Sequence, residues 1–226
     1  MKNMNFNLYE KAKENIIVVA HRGAAGGNIP CNTLASYEIA LKQGADMIEV
    51  DVSCSKDGKL FLFHPGMEKE HLKIRGSLKR KNFSDIQKLR YVNPDDTPTQ
   101  FGIAAFDDFL EQFKGRCYIN IDKFWDNPEK IYEAINRHGM KDQMLVKSKV
   151  NKKVFTVLEE LCPTLPYMPI VNGTHPELNL QNITNNRNVR TGGYEGTRLA
   201  DSETMERYYK FASKYFNRIN SRNCIL

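Results

Sequence analysis

The sequence predicts an α/β fold in which parallel strands alternate with helices and close into a barrel. Residues 16–20 are an uninterrupted apolar run, which is typical of a strand buried on both faces of a parallel sheet. Polar residues directly follow this run, at the end of the strand where α/β barrels carry their chemistry. Beyond it, short apolar segments and helical patterns alternate as far as residue 171.

The chain opens with a polar lead-in that contains one short amphipathic helix within residues 1–15. After the first strand, His21 and Arg22 lead into a glycine-rich loop. A helix is expected from about Thr33, capped by Asn32 or Thr33, and Gly44 ends it. The opening is therefore a strand, helix, strand unit.

Residues 46–64 predict a strand, a tight turn and a second strand. Because side chains alternate along a strand, Glu49 and Asp51 share one face. In the second strand, His64 shares a face with alternating leucines. The segment therefore ends with an imidazole near an acidic pair.

Residues 65–99 lose the alternating pattern and are rich in charge, so we expect an inserted segment over the barrel mouth. It follows the third strand and contains a helix near residues 84–90. The strand and helix pattern then resumes. Helices are predicted at 105–113, 128–137 and 150–161, and strands at 117–122, 144–148 and 167–171.

The pattern weakens after residue 171. Residues 193–198 predict a seventh strand and residues 202–215 a helix, which leaves only residues 218–226 for an eighth strand and its helix. We therefore expect either a chain cut before the barrel closes or an irregular closure. The length of 226 residues suits one domain over 1–226, with 172–226 assigned only in outline.

The composition limits the classes of function. No apolar run approaches the roughly 20 residues of a membrane span, and the first residues lack the apolar core of a signal peptide, so we expect a cytoplasmic chain without a transmembrane segment. Five scattered cysteines without a CxxC pair favour reduced thiols. The net charge of +6 permits an anionic ligand, but the dispersed basic residues favour a solvated surface over a nucleic-acid site.

Carboxylates are the most informative candidate site residues. Glu49 and Asp51 lie about 6–7 Å apart along their strand, close enough for both to reach one divalent cation. Two carboxylates are costly to bury unpaired, so a cation explains them better than a structural ion pair. Asp122 ends a later strand, and a carboxylate there is by itself more often a strand-end cap than a ligand.

Five ordered features in residues 21–64 resemble the signature of the glycerophosphodiester phosphodiesterases. They are a His-Arg-Gly opening, a Pro-x-Asn-Thr helix start, a Glu-x-Asp strand, a Lys-Asp-Gly turn and a second histidine. The segment INIDKFW at residues 119–125 also looks like the family's fourth-strand motif. The resemblance covers most of residues 16–171.

This resemblance implies a TIM barrel, a divalent metal, Mg²⁺ or Ca²⁺, and hydrolysis of a glycerophosphodiester to glycerol 3-phosphate and an alcohol. Matched residue by residue, it implies three sets of site residues. These are a catalytic pair, metal ligands and a phosphate contact: His21 and His64; Glu49, Asp51 and Asp122; Arg22.

The implied chemistry is coherent in physical terms. A phosphodiester is an anion with a poor leaving group, so its hydrolysis needs neutralised charge, a proton acceptor and a proton donor. Two histidines can serve as base and acid near neutral pH. The sequence leaves open which histidine does which.

Three positions depart from the family pattern. Cys31 stands where the family usually has Glu, and Pro65 stands where it often has Asp. The fourth-strand lysine is commonly two positions after its carboxylate, whereas Lys123 directly follows Asp122 and is expected to point to the other face. Lys147 is the alternative substrate-binding lysine, and a structural ion pair explains it equally well.

Two alternatives stay open beside hydrolysis of glycerophosphodiesters. One is a phospholipase D-like activity on lysophospholipids or sphingolipids. The other is an inactive barrel that binds phosphodiesters, which Cys31 and Pro65 favour. In each case the partner is a small-molecule phosphodiester, and the sequence does not indicate an oligomeric state.

Overall fold

A computed structural model of the protein describes residues 6–149, 152–171 and 195–196. The strands in this part of the chain are β1 (Val19–His21), β2 (Met47–Cys54), β3 (Leu60–Leu62), β4 (Arg90–Val92), β5 (Pro98–Gly102), β6 (Tyr118–Asp122), β7 (Met144–Lys149), β8 (Tyr167–Val171) and β9 (Glu195–Gly196). The helices are α1 (Leu8–Glu14), α2 (Leu34–Lys42), α3 (Glu68–Leu72), α4 (Phe83–Ile86), α5 (Phe106–Phe113), α6 (Pro128–His138) and α7 (Lys152–Glu160). Short 3₁₀ segments occupy Leu78–Arg80, Phe124–Asp126 and Lys141–Gln143.

The main sheet is parallel and has the strand order β1-β2-β6-β7-β8-β9. Strand β3 pairs with β2 in the antiparallel direction, after the turn predicted at residues 55–58. Strand β2 lies between β1 and β6, and its register with β6 puts Asp51 opposite Asp122. The parallel order confirms the predicted α/β barrel class and brings the carboxyl ends of these strands to one edge.

The core lies between the sheet and the helices that connect its strands. Helix α5 presents an apolar stripe, whose four members are fully buried: Phe106, Phe109, Leu110 and Phe113. Tyr37 of α2 packs edge-on against Phe109 at 5.2 Å. Each fully buried aromatic side chain contributes about 2 kcal/mol through the apolar area removed from water. This packing holds the helices against the strands that carry the site.

The start of α2 resolves the choice between two caps. Thr33 is the N-cap, and its hydroxyl oxygen accepts a hydrogen bond from the Ser36 backbone N–H at 3.2 Å. The Ser36 hydroxyl in turn accepts from the Thr33 N–H, which completes a capping box. Asn32 is therefore free for another role.

The first strand begins later than predicted. Ile16 and Val18 are 76% and 53% exposed, so the prediction of a strand over 16–20 buried on both faces is wrong at its start. The Val18 N–H donates to the Asp46 carboxylate at 3.0 Å. Within the described part of the chain β1 pairs only with β2, and an edge strand lacks the second neighbour that would bury it.

The inserted segment forms a small subdomain above β3. Helices α3 and α4 and the β4–β5 hairpin pack around a second hydrophobic cluster that includes Phe61, Phe63 and Tyr91. The predicted helix near 84–90 is shorter than expected, because Arg90 already belongs to β4. Antiparallel pairing with β5 competes with the helix there and places Arg90 opposite Gly102.

Two C-terminal predictions lie outside the described residues: the helix at 202–215 and an eighth strand in 218–226. Within the seventh strand predicted at 193–198, β9 covers Glu195–Gly196 and pairs with β8. No helix in the described ranges has both the length and the apolar character needed to cross a membrane.

Candidate active site

Three buried carboxylates converge at the carboxyl ends of the central strands. Glu49 and Asp51 come from β2, and Asp122 comes from β6. One oxygen of each lies within 4.8 Å of one oxygen of each of the others. The parallel register of β2 and β6 produces this convergence, because it puts the two aspartates side by side. The structure thus brings together three residues that are 73 positions apart at most in sequence.

The unsatisfied acceptors in this group fit a hard cation. Asp51 Oδ1 is buried and accepts no hydrogen bond from the described residues. Asn120, two residues before Asp122 on the same face of β6, likewise has a buried Oδ1 without a donor. Carboxylate and amide oxygens are the ligands that Mg²⁺ and Ca²⁺ take in proteins. The acidic group can therefore hold a metal ion.

Two basic side chains pair with the same carboxylates. Arg22 Nε lies 2.9 Å from Asp51 Oδ2, in an ion pair whose N–H is not aligned for a hydrogen bond. The Lys147 ammonium donates to Glu49 Oε1 at 3.0 Å and lies 3.7 Å from Asp122 Oδ2. Buried charges are tolerated when opposite charges face them, so these contacts lower the cost of burying the acids.

Lys123 also reaches the site, and the prediction that it points to the other face is wrong. Its ammonium lies 2.5 Å from Asp122 Oδ2 and 3.5 Å from Asp51 Oδ1. The backbone at Lys123 has φ 63°, in the left-handed region, so the alternation of β6 does not continue through it. A non-glycine residue there costs of order 1 kcal/mol, which the ion pairs offset. No local pattern in the sequence signals this conformation.

Asn32 positions Asp51, a role that the sequence pattern did not predict. The Asn32 amide donates to Asp51 Oδ2 at 2.8 Å, and its Oδ1 accepts from the Asp51 backbone N–H at 3.2 Å. The Tyr37 hydroxyl donates to the same Oδ1 at 2.8 Å. Asn32 thus locks the carboxylate orientation from the start of α2. The signal available in the sequence was the Asn of the Pro-x-Asn-Thr motif.

The two predicted catalytic histidines lie at the rim of the acidic group. His21 ends β1, its Nε2 is 3.9 Å from Glu49 Oε2, and its side chain is 69% exposed. His64 lies two residues after β3 and is half-buried, and its Nδ1 is buried without a hydrogen-bond partner. Burial lowers the pKa of His64, the Asp51 charge opposes this shift, and Arg22 adds to it. His64 is therefore predominantly neutral at pH 7.

Burial and charge move the pKa values of two acids in opposite directions. Burial raises the pKa of Glu49 to about 7, Lys147 opposes the shift, and the charges of Asp51 and Asp122 increase it. Burial would also raise the pKa of Asp122, but Lys147 and Lys123 outweigh it and lower that pKa overall. The site therefore contains one carboxyl that titrates near neutrality and another that stays ionised.

The fold and the site define a class of protein: a parallel α/β barrel with a buried acidic group, suited to a metal ion, at the carboxyl ends of its strands. A family model described as the glycerophosphoryl diester phosphodiesterase family matches residues 21–214. The match covers most of the chain, which therefore belongs to this family.

Two of the relatives that the chain resembles are named glycerophosphodiester phosphodiesterases. The chain is 28% identical over 178 residues to the glycerophosphodiester phosphodiesterase of Bacillus subtilis. The alignment covers 70% of this chain and 60% of that relative. It is 38% identical over 142 residues to the glycerophosphodiester phosphodiesterase of Caldanaerobacter subterraneus. That alignment covers 58% of this chain and 57% of the relative. The chain thus spans somewhat more than half the length of these two relatives.

Solved structures share the fold. A glycerophosphoryl diester phosphodiesterase of Parabacteroides distasonis aligns with a TM-score of 0.75 and 17% identity, over 92% of this chain and 75% of that one. A phosphodiesterase of Oleispira antarctica, in complex with the product sn-glycerol-3-phosphate, aligns with a TM-score of 0.57 and 19% identity, over 86% of this chain and 89% of that one. These likenesses confirm the TIM-type barrel.

Proposed function

We propose that this protein hydrolyses glycerophosphodiesters to glycerol 3-phosphate and an alcohol. The observation that carries the proposal is the buried acidic triad of Glu49, Asp51 and Asp122, with Arg22 and two imidazoles at its rim. Membership of the phosphodiesterase family and the product bound to a structural neighbour support it. A phosphodiester needs charge neutralisation and proton transfer, and this set of side chains can provide both.

Glu49, Asp51 and Asp122 would hold one divalent ion, Mg²⁺ or Ca²⁺. When bound, such an ion polarises the phosphoryl oxygens and stabilises the charge that develops on them. Asp51 Oδ1 supports this assignment, because it is a buried acceptor that receives no hydrogen bond from the described residues.

The basic side chains of the site would bind and orient the phosphate. Arg22 offers a planar fork of N–H groups that matches two phosphate oxygens. Lys147, buried between Glu49 and Asp122, holds a positive charge at the base of the site. Both side chains form ion pairs with the carboxylates. A bound metal would neutralise part of the negative charge of those carboxylates, so the positive charges of Arg22 and Lys147 would act more strongly on the substrate.

The two histidines would share the proton transfers. His64 is the better general base, because burial lowers the pKa of its imidazole and keeps it neutral at pH 7. Proton donation to the departing alkoxide then falls to the exposed His21. The alternative of phospholipase D-like activity uses the same residues and differs in the lipid nature of the substrate.

A barrel that binds phosphodiesters without hydrolysing them is the second candidate. The three carboxylates already face three basic side chains, Arg22, Lys123 and Lys147, so the site is close to neutral without a metal. Cys31, half-buried near Arg22 and Asp51, puts a thiol with a burial-raised pKa where the family usually has a carboxylate. Both features favour binding over turnover.

Turnover of glycerophosphoinositol with Mg²⁺ or Ca²⁺ tests the proposal directly. We expect release of glycerol 3-phosphate, measured by a coupled dehydrogenase, and its loss in EDTA. His64→Ala should lower kcat/KM by about 10²- to 10⁴-fold because it removes a proton acceptor. The matched control is His138→Ala, since His138 pairs with Asp107 on the helical layer.

Three results would separate the candidates. Binding of the substrate without product would favour the inactive barrel. Release of phosphorylated products from lysophospholipids in preference to glycerophosphodiesters would favour the phospholipase activity. Hydrolysis that is unchanged in His64→Ala would contradict the assigned base.

A further inference from the structure

A half-buried tryptophan beside the acidic triad carries two lysine ammonium groups over its ring. Trp125 lies in the 3₁₀ segment that follows β6. Lys123 Nζ is 5.1 Å from the ring centroid, and Lys149 Nζ is 5.4 Å from it. Both distances are within the range of a cation–π interaction. We call Lys123, Trp125 and Lys149 the lysine–tryptophan rim.

The rim adjoins the proposed phosphate position. Lys123 belongs to both places, because its ammonium also lies 2.5 Å from Asp122 Oδ2. Lys147 and Lys149 are two residues apart on β7 and share a face. Lys147 is buried in the acidic triad, and Lys149 is exposed one step closer to solvent. The part of a phosphodiester that extends outward from its phosphate would therefore meet the rim.

The charge of the rim is positive. Lys149 makes no ion pair with any carboxylate among the described residues. Asp126, the acid of the same 3₁₀ segment, lies 2.5 Å from the Lys79 ammonium of the inserted segment. That pairing offsets the negative charge that Asp126 brings to the lysine–tryptophan rim.

We propose that the lysine–tryptophan rim selects glycerophosphodiesters whose alcohol part carries additional negative charge, such as a second phosphate. The inference rests on the proposed function and names its substrate class. Ammonium groups bind phosphate oxygens through charge-assisted hydrogen bonds. A quaternary ammonium such as choline instead needs an open aromatic face, and here two cations cover the ring and repel it.

Three substrates that differ in charge test this specificity. They are glycerophosphoinositol 4-phosphate, glycerophosphoinositol and glycerophosphocholine, which carry an anionic, a neutral and a cationic alcohol part. We expect kcat/KM to fall in that order, with about tenfold between the first two. The difference should shrink as NaCl rises, because salt screens exposed charges.

Lys149→Gln should reduce the preference for the 4-phosphate severalfold. The control is Lys114→Gln, an exposed lysine just before β6 at the opposite rim of the sheet, which should leave the order of substrates unchanged. Thermal melting of each variant checks that it folds. An equal effect of both variants, or a preference for glycerophosphocholine, would overturn the proposal.

Binding affinities measured by calorimetry keep the test independent of turnover. If none of the three compounds is hydrolysed, the proposed function fails. The order of the three dissociation constants then decides the charge preference alone. Tightest binding of the 4-phosphate supports the rim, and equal affinity for all three compounds contradicts it.

Discussion

At Glu49, burial and the neighbouring positive charge act on the pKa in opposite directions. Glu49 is buried on β2, bonded to Lys147 and close to two other carboxylates. The Arg22 backbone N–H donates a hydrogen bond to Glu49 Oε2 at 3.0 Å. The pKa of Glu49 rises to about 7 despite these favourable contacts, because removal from water dominates. The ionised form of Glu49 is therefore costly in the absence of a metal ion.

The raised pKa of Glu49 predicts a pH-dependent stability of the metal-free protein. The folded state binds the Glu49 proton more tightly than the unfolded state, whose ordinary pKa is 4.5. The resulting contribution to the free energy of unfolding is complete below pH 4.5 and is lost as the pH rises toward about 7. The shift amounts to about 3 kcal/mol.

Urea denaturation in EDTA at several pH values would measure this effect. Glu49→Gln does not titrate, so the difference in the free energy of unfolding between the two proteins should change by up to about 3 kcal/mol across that range. Glu159→Gln, on α7, is the control for a partly exposed carboxylate. A constant difference between the wild type and Glu49→Gln would contradict the raised pKa.

The position of Lys123 predicts that its ammonium competes with a metal ion for the carboxylates of Asp122 and Asp51. Because the ammonium contacts Asp122 and Asp51, a divalent ion must displace it. Lys123→Gln should therefore raise the affinity for Mg²⁺ or Ca²⁺ by about tenfold. Calorimetry with the metal alone, or Tb³⁺ luminescence sensitised by the single tryptophan, would report it.

Lys130→Gln is the matched control for this prediction. Lys130 is exposed on α6, and its ammonium lies 3.8 Å from Cys54 Sγ, away from the carboxylates. Lys130→Gln should leave the affinity for the metal within about twofold of the wild type, since solvent and salt screen an exposed charge that does not contact the carboxylates. Unchanged affinity in Lys123→Gln would mean that its ammonium does not compete.

At the scale of elements, the junction between α2 and β2 determines how the site is oriented. The capping box at Thr33 fixes the first turn of α2, and Asn32 just before it holds Asp51 through two hydrogen bonds. Tyr37, one turn into the helix, holds Asn32. A helix start and a strand are thus joined through one side chain.

This junction predicts a graded pair of substitutions. Tyr37→Phe removes one hydroxyl and should cost about 1 kcal/mol of unfolding free energy. Asn32→Ala removes both hydrogen bonds to Asp51 and the acceptor of the Tyr37 hydroxyl, and alanine is strained at φ 55°, so we expect about 3 kcal/mol. Metal affinity should fall in Asn32→Ala because the carboxylate is no longer oriented.

Chemical denaturation of both variants, together with calorimetry, tests the junction. Asn136→Ala, on the exposed face of α6, controls for the loss of an amide. If Asn32→Ala and Tyr37→Phe destabilised the protein equally, the hydrogen bonds to Asp51 would contribute nothing measurable.

At the scale of the whole molecule, the parallel sheet makes the site a property of several elements. Strands β1, β2, β6 and β7 each deliver one or more of its side chains, and β3 leads to His64. Ligand binding at such a junction stabilises the folded state of every element that contributes.

Metal binding should therefore raise the melting temperature. At 100 times its dissociation constant, a ligand adds about 2.7 kcal/mol, which corresponds to roughly 5–10 °C for a chain of this size. Differential scanning fluorimetry with Mg²⁺, Ca²⁺ and EDTA would measure it. Asp51→Asn should remove the shift, and a shift retained in that variant would assign the metal to another place.

Several features of the molecule could be predicted from local patterns. The α5 stripe, the bounds of β8 and the turn before β3 follow from periodicities that short segments carry by themselves. Alternation along β2 also predicted that Glu49 and Asp51 share one face. The edge position of β1 and the pairing that shortens α4 depend on distant partners, so the local pattern misplaced those boundaries.

The sequence by itself determined the parallel barrel, the family and the acidic residues that alternate on its strands, because hydrophobic periodicity and short motifs act over a few residues. Only the tertiary structure decided that Lys123 faces the acids and that Asn32 holds Asp51. It also decided that Lys149 lies over Trp125. These relations depend on one left-handed backbone position and on the register of neighbouring strands, which are set by packing across the sheet and not by adjacent residues.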